Sequence, residues 1–195
     1  MPICEFTPTS KTRKIDVHAH VLPKNIPDFQ EKFGYPGFVR LDHKEDGTTH
    51  MIKDGKLFRV VEPNCFDTKA RIADMDRANV NVQCLSTVPV MFSYWAKPAD
   101  TEIVARFVND DLLAECQKYP DRLVPLGTLP MNDVERAIQV SLFQKKIYSL
   151  TRKNIECLLF LSNEGGMVQI LQNNSNRLIT REFPQRINNE VLVDP

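Results

Sequence analysis

The run Lys14-Ile15-Asp16-Val17-His18-Ala19-His20 constrains this chain more than any other stretch. Taken as a β-strand it alternates, so Ile15 and Val17 face one side and Asp16, His18 and His20 the other. Two histidines at i and i+2 set two imidazoles side by side at a strand end. Neutral imidazole suits zinc, and a catalytic zinc keeps three protein ligands and a water. A short apolar lead-in that ends in ligands also fits a barrel strand whose carboxyl end opens into a site. The plain alternative is a pair of surface histidines in the loop after a short strand.

The rest of the composition bounds the answer without deciding it. A chain of 195 residues suffices for one domain and buries about 70% of its unfolded surface if it folds as a unit. The 25 basic and 25 acidic side chains cancel, so no field points to nucleic acid or to an anionic membrane. Cys4, Cys65, Cys84, Cys116 and Cys157 form no C-x-x-C pair, and an odd, scattered set implies reduced thiols in the cytosol. Residues 1–13 read as a disordered polar extension without the apolar core of a secretory signal. The longest apolar run, around 158–161, is too short to span a bilayer.

Along the chain, strand one covers 14–18. Pro23, Pro27, Gly34, Pro36 and Gly37 then break any long helix. Strands follow at 38–41, 48–53 and 56–61, the last two joined by Asp54-Gly55, a strong type I′ hairpin signal. This is a small antiparallel flap, within 23–63, inserted after strand one. A two-residue turn pairs Lys53 with Lys56 and therefore His50 with Arg59. That register sets Arg59, Leu57, Ile52 and His50 on one face and turns Lys53 to the other. His43 and His50 read as surface histidines of the flap. Asp67 caps a helix to about residue 78, and 80–86 is strand two. The loop 87–97, rich in Met91, Phe92, Tyr94 and Trp95, either lines a pocket or packs over a rim. A helix from Pro98 ends near 119, with Ile103/Phe107 and Val104/Val108 at i, i+4. Strand three covers 123–128, and Asn132 with Glu135 is a capping box for a third helix.

The motifs KIDVHAHVLP, KDGKLFRVVEPNCFD, LSTVPVMFSYWAKPADT and VPLGTLPMN, spread over 14–139, resemble the metal-dependent decarboxylases of the amidohydrolase superfamily. Among these the likeness is to the aminocarboxymuconate-semialdehyde decarboxylase family. The resemblance implies an α/β fold, the amino-terminal part of a (β/α)8 TIM barrel left incomplete, with the flap inserted. It implies Zn²⁺ on His18 and His20, and a homodimer. Arg59 matches the family arginine that binds a small-molecule carboxylate substrate, and a guanidinium makes a bidentate fork to such a group. Lys53 is the weaker substrate-binding candidate; for both, an exposed cation on a hairpin is the ordinary alternative. The implied reaction is loss of carbon dioxide from 2-amino-3-carboxymuconate 6-semialdehyde without oxidation. In tryptophan and kynurenine catabolism this limits quinolinate and NAD synthesis.

The family's metal also takes a further histidine and a late aspartate, and its acid/base group is another histidine. Here the four histidines are His18, His20, His43 and His50, and none follows. Asp16 suits a supporting role beside the pair. Past residue 140 the likeness is expected to stop, and 141–195 reads as an unrelated tail with a strand at 155–161 and an apolar patch at 167–171. Two classes of function stand side by side. One is a zinc-dependent decarboxylase, or a zinc hydrolase of the same superfamily. The other is a non-catalytic fragment from splicing or a faulty gene model, which the histidine count favours for this chain.

Overall fold

The computed structural model describes residues 14–151, 157–161, 167–172 and 178–182, with side chains described as far as residue 142. The extension read at 1–13 lies outside the described residues. The elements run β1 (Ile15–Val21), α1 (Phe29–Phe33), β2 (Val39–His43), β3 (Thr49–Lys53), β4 (Lys56–Val61), α2 (Thr68–Arg77), β5 (Val82–Thr87), α3 (Pro98–Gln117), β6 (Leu123–Leu126) and α4 (Val134–Thr151). They close with β7 (Cys157–Leu161), β8 (Met167–Gln172) and β9 (Leu178–Glu182).

β1, β5 and β6 form a parallel sheet in that order, with α2 and α3 as crossovers. This is the beginning of a (β/α)8 barrel, and among the described residues the sheet does not close. Its outer face packs on the helices through Val21, Met75, Leu85, Leu112, Cys116 and Leu123. The inner face is open, so Ile15 is 53% and Val17 69% exposed. No helix among the described residues is long and apolar enough to cross a membrane.

Local chemistry sets the helix bounds. Asp67 caps α2, its carboxylate accepting from Ala70 N–H at 2.9 Å. That bond is the first reason its carboxyl is held below the usual range, with Lys24 adding to it. A folded pKa below the unfolded one gives stability that is complete above the ordinary carboxylate value and fades as pH falls through the folded value. Asp67→Ala is expected to cost about 0.5–2 kcal/mol near neutrality and less in acid, read from melting temperature against pH. α3 begins with Pro98 and buries Val104, Val108, Leu112 and Cys116, a stripe at four-residue spacing. The cap of α4 is Asp133, which accepts from Arg136 N–H at 3.0 Å. This corrects the reading of Asn132 as the cap. Asn132 instead donates to Tyr94 O at 3.2 Å, Ala96 O at 3.0 Å and Thr101 Oγ1 at 3.1 Å. It ties the loop after β5 to α3.

The flap is a three-stranded antiparallel sheet, β2-β3-β4, turning at Asp54 (φ 52°) and Gly55 (φ 73°). Both positive angles are those of a type I′ turn. Lys53 pairs with Lys56 and Ile52 with Leu57, but then Met51 meets Arg59. A bulge leaves Phe58 unpaired, so the expected His50–Arg59 pair does not form. The cause is burial. The shift brings Val61 opposite Thr49, and these are 7% and 1% exposed. Val39, Met51 and Val61 then pack on Leu22, Phe66, Val104 and Val108, which fastens the flap to α3.

The tail holds more strand than its sequence suggests. β7, β8 and β9 form an antiparallel meander, so the single strand expected there is corrected to three. α4 runs through residue 140 without a break.

Candidate active site

A second bulge shapes the end of β1. Asp16 pairs with Gln83, but the next partners are Ala19 and Leu85, three residues on in β1 against two in β5. The extra residue undoes the plain alternation read from the sequence. Ala19 and Val21 face the helices, packed with Leu85. Asp16 also lies on that side, its Oδ2 accepting from Gln83 Nε2 at 2.8 Å and its Oδ1 from His18 N–H at 3.1 Å. Ile15, paired with Val82, shares the inner face instead. Bulges are common beside sites because they re-aim side chains.

His18 and His20 come together on the inner side. Their rings meet edge to face, with centroids 5.0 Å apart and the two Nε2 atoms at 3.2 Å. Two ligands of a tetrahedral zinc at about 2.0–2.1 Å stand about 3.3 Å apart, so the pair fits a metal. Ser86 Oγ lies 3.0 Å from His20 Nδ1 and 3.5 Å from the Ala19 carbonyl. With Nδ1 engaged by Ser86, Nε2 is the nitrogen that faces His18. Burial, and then the neighbouring His18, push the His20 pKa down. Neutral imidazole, the ligating form, therefore persists below the usual range. Among the described residues no group of three or more His, Cys, Asp or Glu gathers here.

Arg59 lies on the core face of the flap, opposite Met51, and overhangs the sheet end. His20, Leu22, Met51, Arg59, Cys65 and Val88 line one open cleft of ≈ 540 Å³, within the size range of small-molecule sites. The bulge at Phe58 turns Arg59 to this side. Lys53 shares that face of β3, but its Nζ sits over the Trp95 ring, 6.0 Å from the centroid. It lines no part of the cleft. Met91 and Phe92 are 2% and 4% exposed, so the aromatic loop mostly packs, and only its start, Val88 to Val90, reaches the cleft. Trp95 covers Gly37, where a Cβ would stand 2.4 Å from the indole. His43 bridges Thr49 Oγ1 and Lys24 O, each at 2.8 Å, and so braces the flap. Sequence reasoning missed Ser86, Gln83 and Arg71. All three lie on the elements flanking β1, and only the register of β1 against β5 brings them to the histidines.

The family described as Amidohydrolase matches residues 15–139. The chain belongs to the amidohydrolase family. It is 88% identical over 148 residues to 2-amino-3-carboxymuconate-6-semialdehyde decarboxylase of Caenorhabditis elegans, covering 76% of this chain and 36% of that protein. It is 46% identical over 129 residues to the enzyme of the same name in Dictyostelium discoideum, 66% of this chain and 36% of that one. The chain thus spans about a third of the curated relatives it matches. The first match is longer than the stretch 14–139, so the likeness reaches outside the boundaries read from the motifs. The apo crystal structure of Metarhizium anisopliae IDCase shares the fold, with 17% identity, a TM-score of 0.53, and cover of 69% of this chain and 39% of that one.

Proposed function

We propose that this chain is the amino-terminal segment of a metal-dependent decarboxylase acting on 2-amino-3-carboxymuconate 6-semialdehyde, with zinc as the metal. The observation that carries the reading is the approach of His18 Nε2 to within 3.2 Å of His20 Nε2, at the edge of the cleft that His20 and Arg59 line together. The resemblance to the C. elegans and Dictyostelium decarboxylases supports the substrate. A bound zinc supplies a Lewis acid and a water of lowered pKa. His18 and His20 hold it through Nε2, Ser86 fixes the His20 ring, and Arg59 grips a substrate carboxylate. Leu22, Met51 and Val88 give the cleft an apolar wall. We place the reaction in the cytosol, in tryptophan and kynurenine catabolism upstream of quinolinate, and the completed enzyme as a homodimer.

A second reading concerns these 195 residues alone. They hold four histidines, none past residue 50, so decarboxylation needs groups from the remaining length of the family barrel. The segment by itself is expected to bind zinc weakly and to turn over no substrate. The test joins it to the remaining length of the C. elegans relative, and carbon dioxide release is expected. Arg59→Ala in that chimera is expected to raise KM about tenfold or more, with zinc content unchanged, because one carboxylate fork is lost. A folded, zinc-loaded chimera that hydrolyses amides or esters and releases no carbon dioxide would replace this reading with a zinc hydrolase.

A further inference from the structure

Both histidines are held through their backbones, and the hold passes through one buried cation. Arg71 of α2 is 9% exposed. Its Nη2 donates to the His20 carbonyl at 2.7 Å and its Nη1 to Gln83 Oε1 at 2.9 Å. Gln83 Nε2 donates to Asp16 Oδ2 at 2.8 Å, and Asp16 Oδ1 accepts from His18 N–H at 3.1 Å. The bonds leave the backbone of one histidine and return to the backbone of the other, on the face of β1 opposite the rings.

We propose that Arg71, acting through Gln83 and Asp16, is the positioning residue that holds the β1 bulge in the shape that lets His18 and His20 chelate one metal ion. This rests on the metal reading above. The bulge between Asp16 and Ala19 interrupts the ladder with β5, so backbone groups there need other partners. Asp16 takes the His18 N–H inside the bulge, and Arg71 takes the carbonyl of His20, which pairs with Ser86 where the ladder resumes. Without them β1 gains by sliding one residue into regular pairing with β5. A one-residue slip turns side chains to the opposite face, which parts the two rings. The arrangement is costly as mere packing. Arg71 Nε is buried with no partner among the described residues. Burial also pushes the guanidinium pKa down, with Cys65 and Cys116, and after them the Asp16 and Asp74 carboxylates, opposing. A leucine or methionine would join α2 to the sheet without that penalty. What an apolar side chain lacks is a planar fork that reaches a backbone carbonyl and a glutamine at once.

The experiment is zinc titration of the purified chain against a chromophoric chelator, with folding followed by circular dichroism. Arg71→Met and Gln83→Leu are each expected to weaken zinc binding about 10–100-fold, the usual effect of losing a group that orients a ligand. Because the two act in series, the double variant is expected to be no weaker than the poorer single one. Arg71→Lys, which reaches one acceptor but not both, is expected to fall between. Asp67→Ala loosens the same helix at its cap and is expected to leave affinity within about twofold. A folded Arg71→Met that binds zinc like the parent overturns the proposal, as does an equal loss in Asp67→Ala. Should Arg71→Met not fold, Gln83→Leu decides alone. If the parent binds no zinc, the metal reading fails, and amide exchange at His18 then tests the brace. Exchange at least tenfold faster in Arg71→Met, and not in Asp67→Ala, sustains it, and unchanged exchange overturns it.

Discussion

Replacing His20 with alanine is expected to weaken zinc binding by more than about 100-fold, the largest effect of any single change at this site. Losing a partner that only orients a ligand costs about 10–100-fold, and losing a ligand costs more. His18 and His20 are the two imidazoles on the inner face, their Nε2 atoms 3.2 Å apart. Removing one turns a chelate into a single exposed imidazole. Ser86→Ala is the graded comparison, because it removes only the hydroxyl beside His20 Nδ1, and a loss of about tenfold is expected. His43→Ala is the negative control. Its ring is engaged by Thr49 and Lys24 in the flap, so zinc binding is expected to hold while the melting temperature falls. Titration of all three at pH 7.5 reads the order. Undiminished affinity in His20→Ala would mean that zinc binds elsewhere on the chain.

The periodic parts of the molecule were legible and the aperiodic parts were not. α3 follows from Pro98 and the Val104/Val108 spacing, and α2 from the Asp67 cap, because each signal is local. The hairpin follows from Asp54-Gly55, where only residues tolerant of positive φ fit. His-x-His brought the two imidazoles together, since any strand-like geometry brings i and i+2 near one another. The two bulges were invisible, because each is decided by what the strand meets across the sheet. Val61 shifts β4 to reach the core beside Thr49, and Asp16 turns toward Gln83 and Arg71. Arg59 therefore reaches the cleft in a register the sequence did not show. Arg71 carried no signal either, since a helical arginine is ordinarily a surface residue. In the tail, Leu178–Glu182 is too short and mixed to announce a strand.

Asn109→Leu is expected to destabilise the barrel segment by about 2–6 kcal/mol while leaving the histidine pair untouched. Asn109 lies on α3 and is 1% exposed. Its Nδ2 donates to the Thr128 carbonyl at 2.9 Å, and its Oδ1 accepts from Thr128 N–H at 2.7 Å. β6 ends at Leu126, so past that point the side-chain amide stands in for a neighbouring strand and satisfies both backbone groups of Thr128. Leucine matches the volume and can bond neither. Each buried group left without a partner costs about 1–3 kcal/mol, which sets the range. Whole domains are stable by only about 5–15 kcal/mol, and here the inner sheet face is open, so the loss is a large fraction of what holds the segment. Asn109→Asp separates the two bonds. The carboxylate still accepts from Thr128 N–H but cannot donate to its carbonyl, and burial raises its pKa. A folded pKa above the unfolded one means that the lost stability returns as pH falls through the folded value, where the protonated acid donates again. The aspartate variant is therefore expected to melt closer to the parent at pH 5 than at pH 8, whereas the leucine deficit stays constant. Parallel pH curves for the two variants would show that side-chain volume, not the paired bonds to Thr128, is what Asn109 contributes.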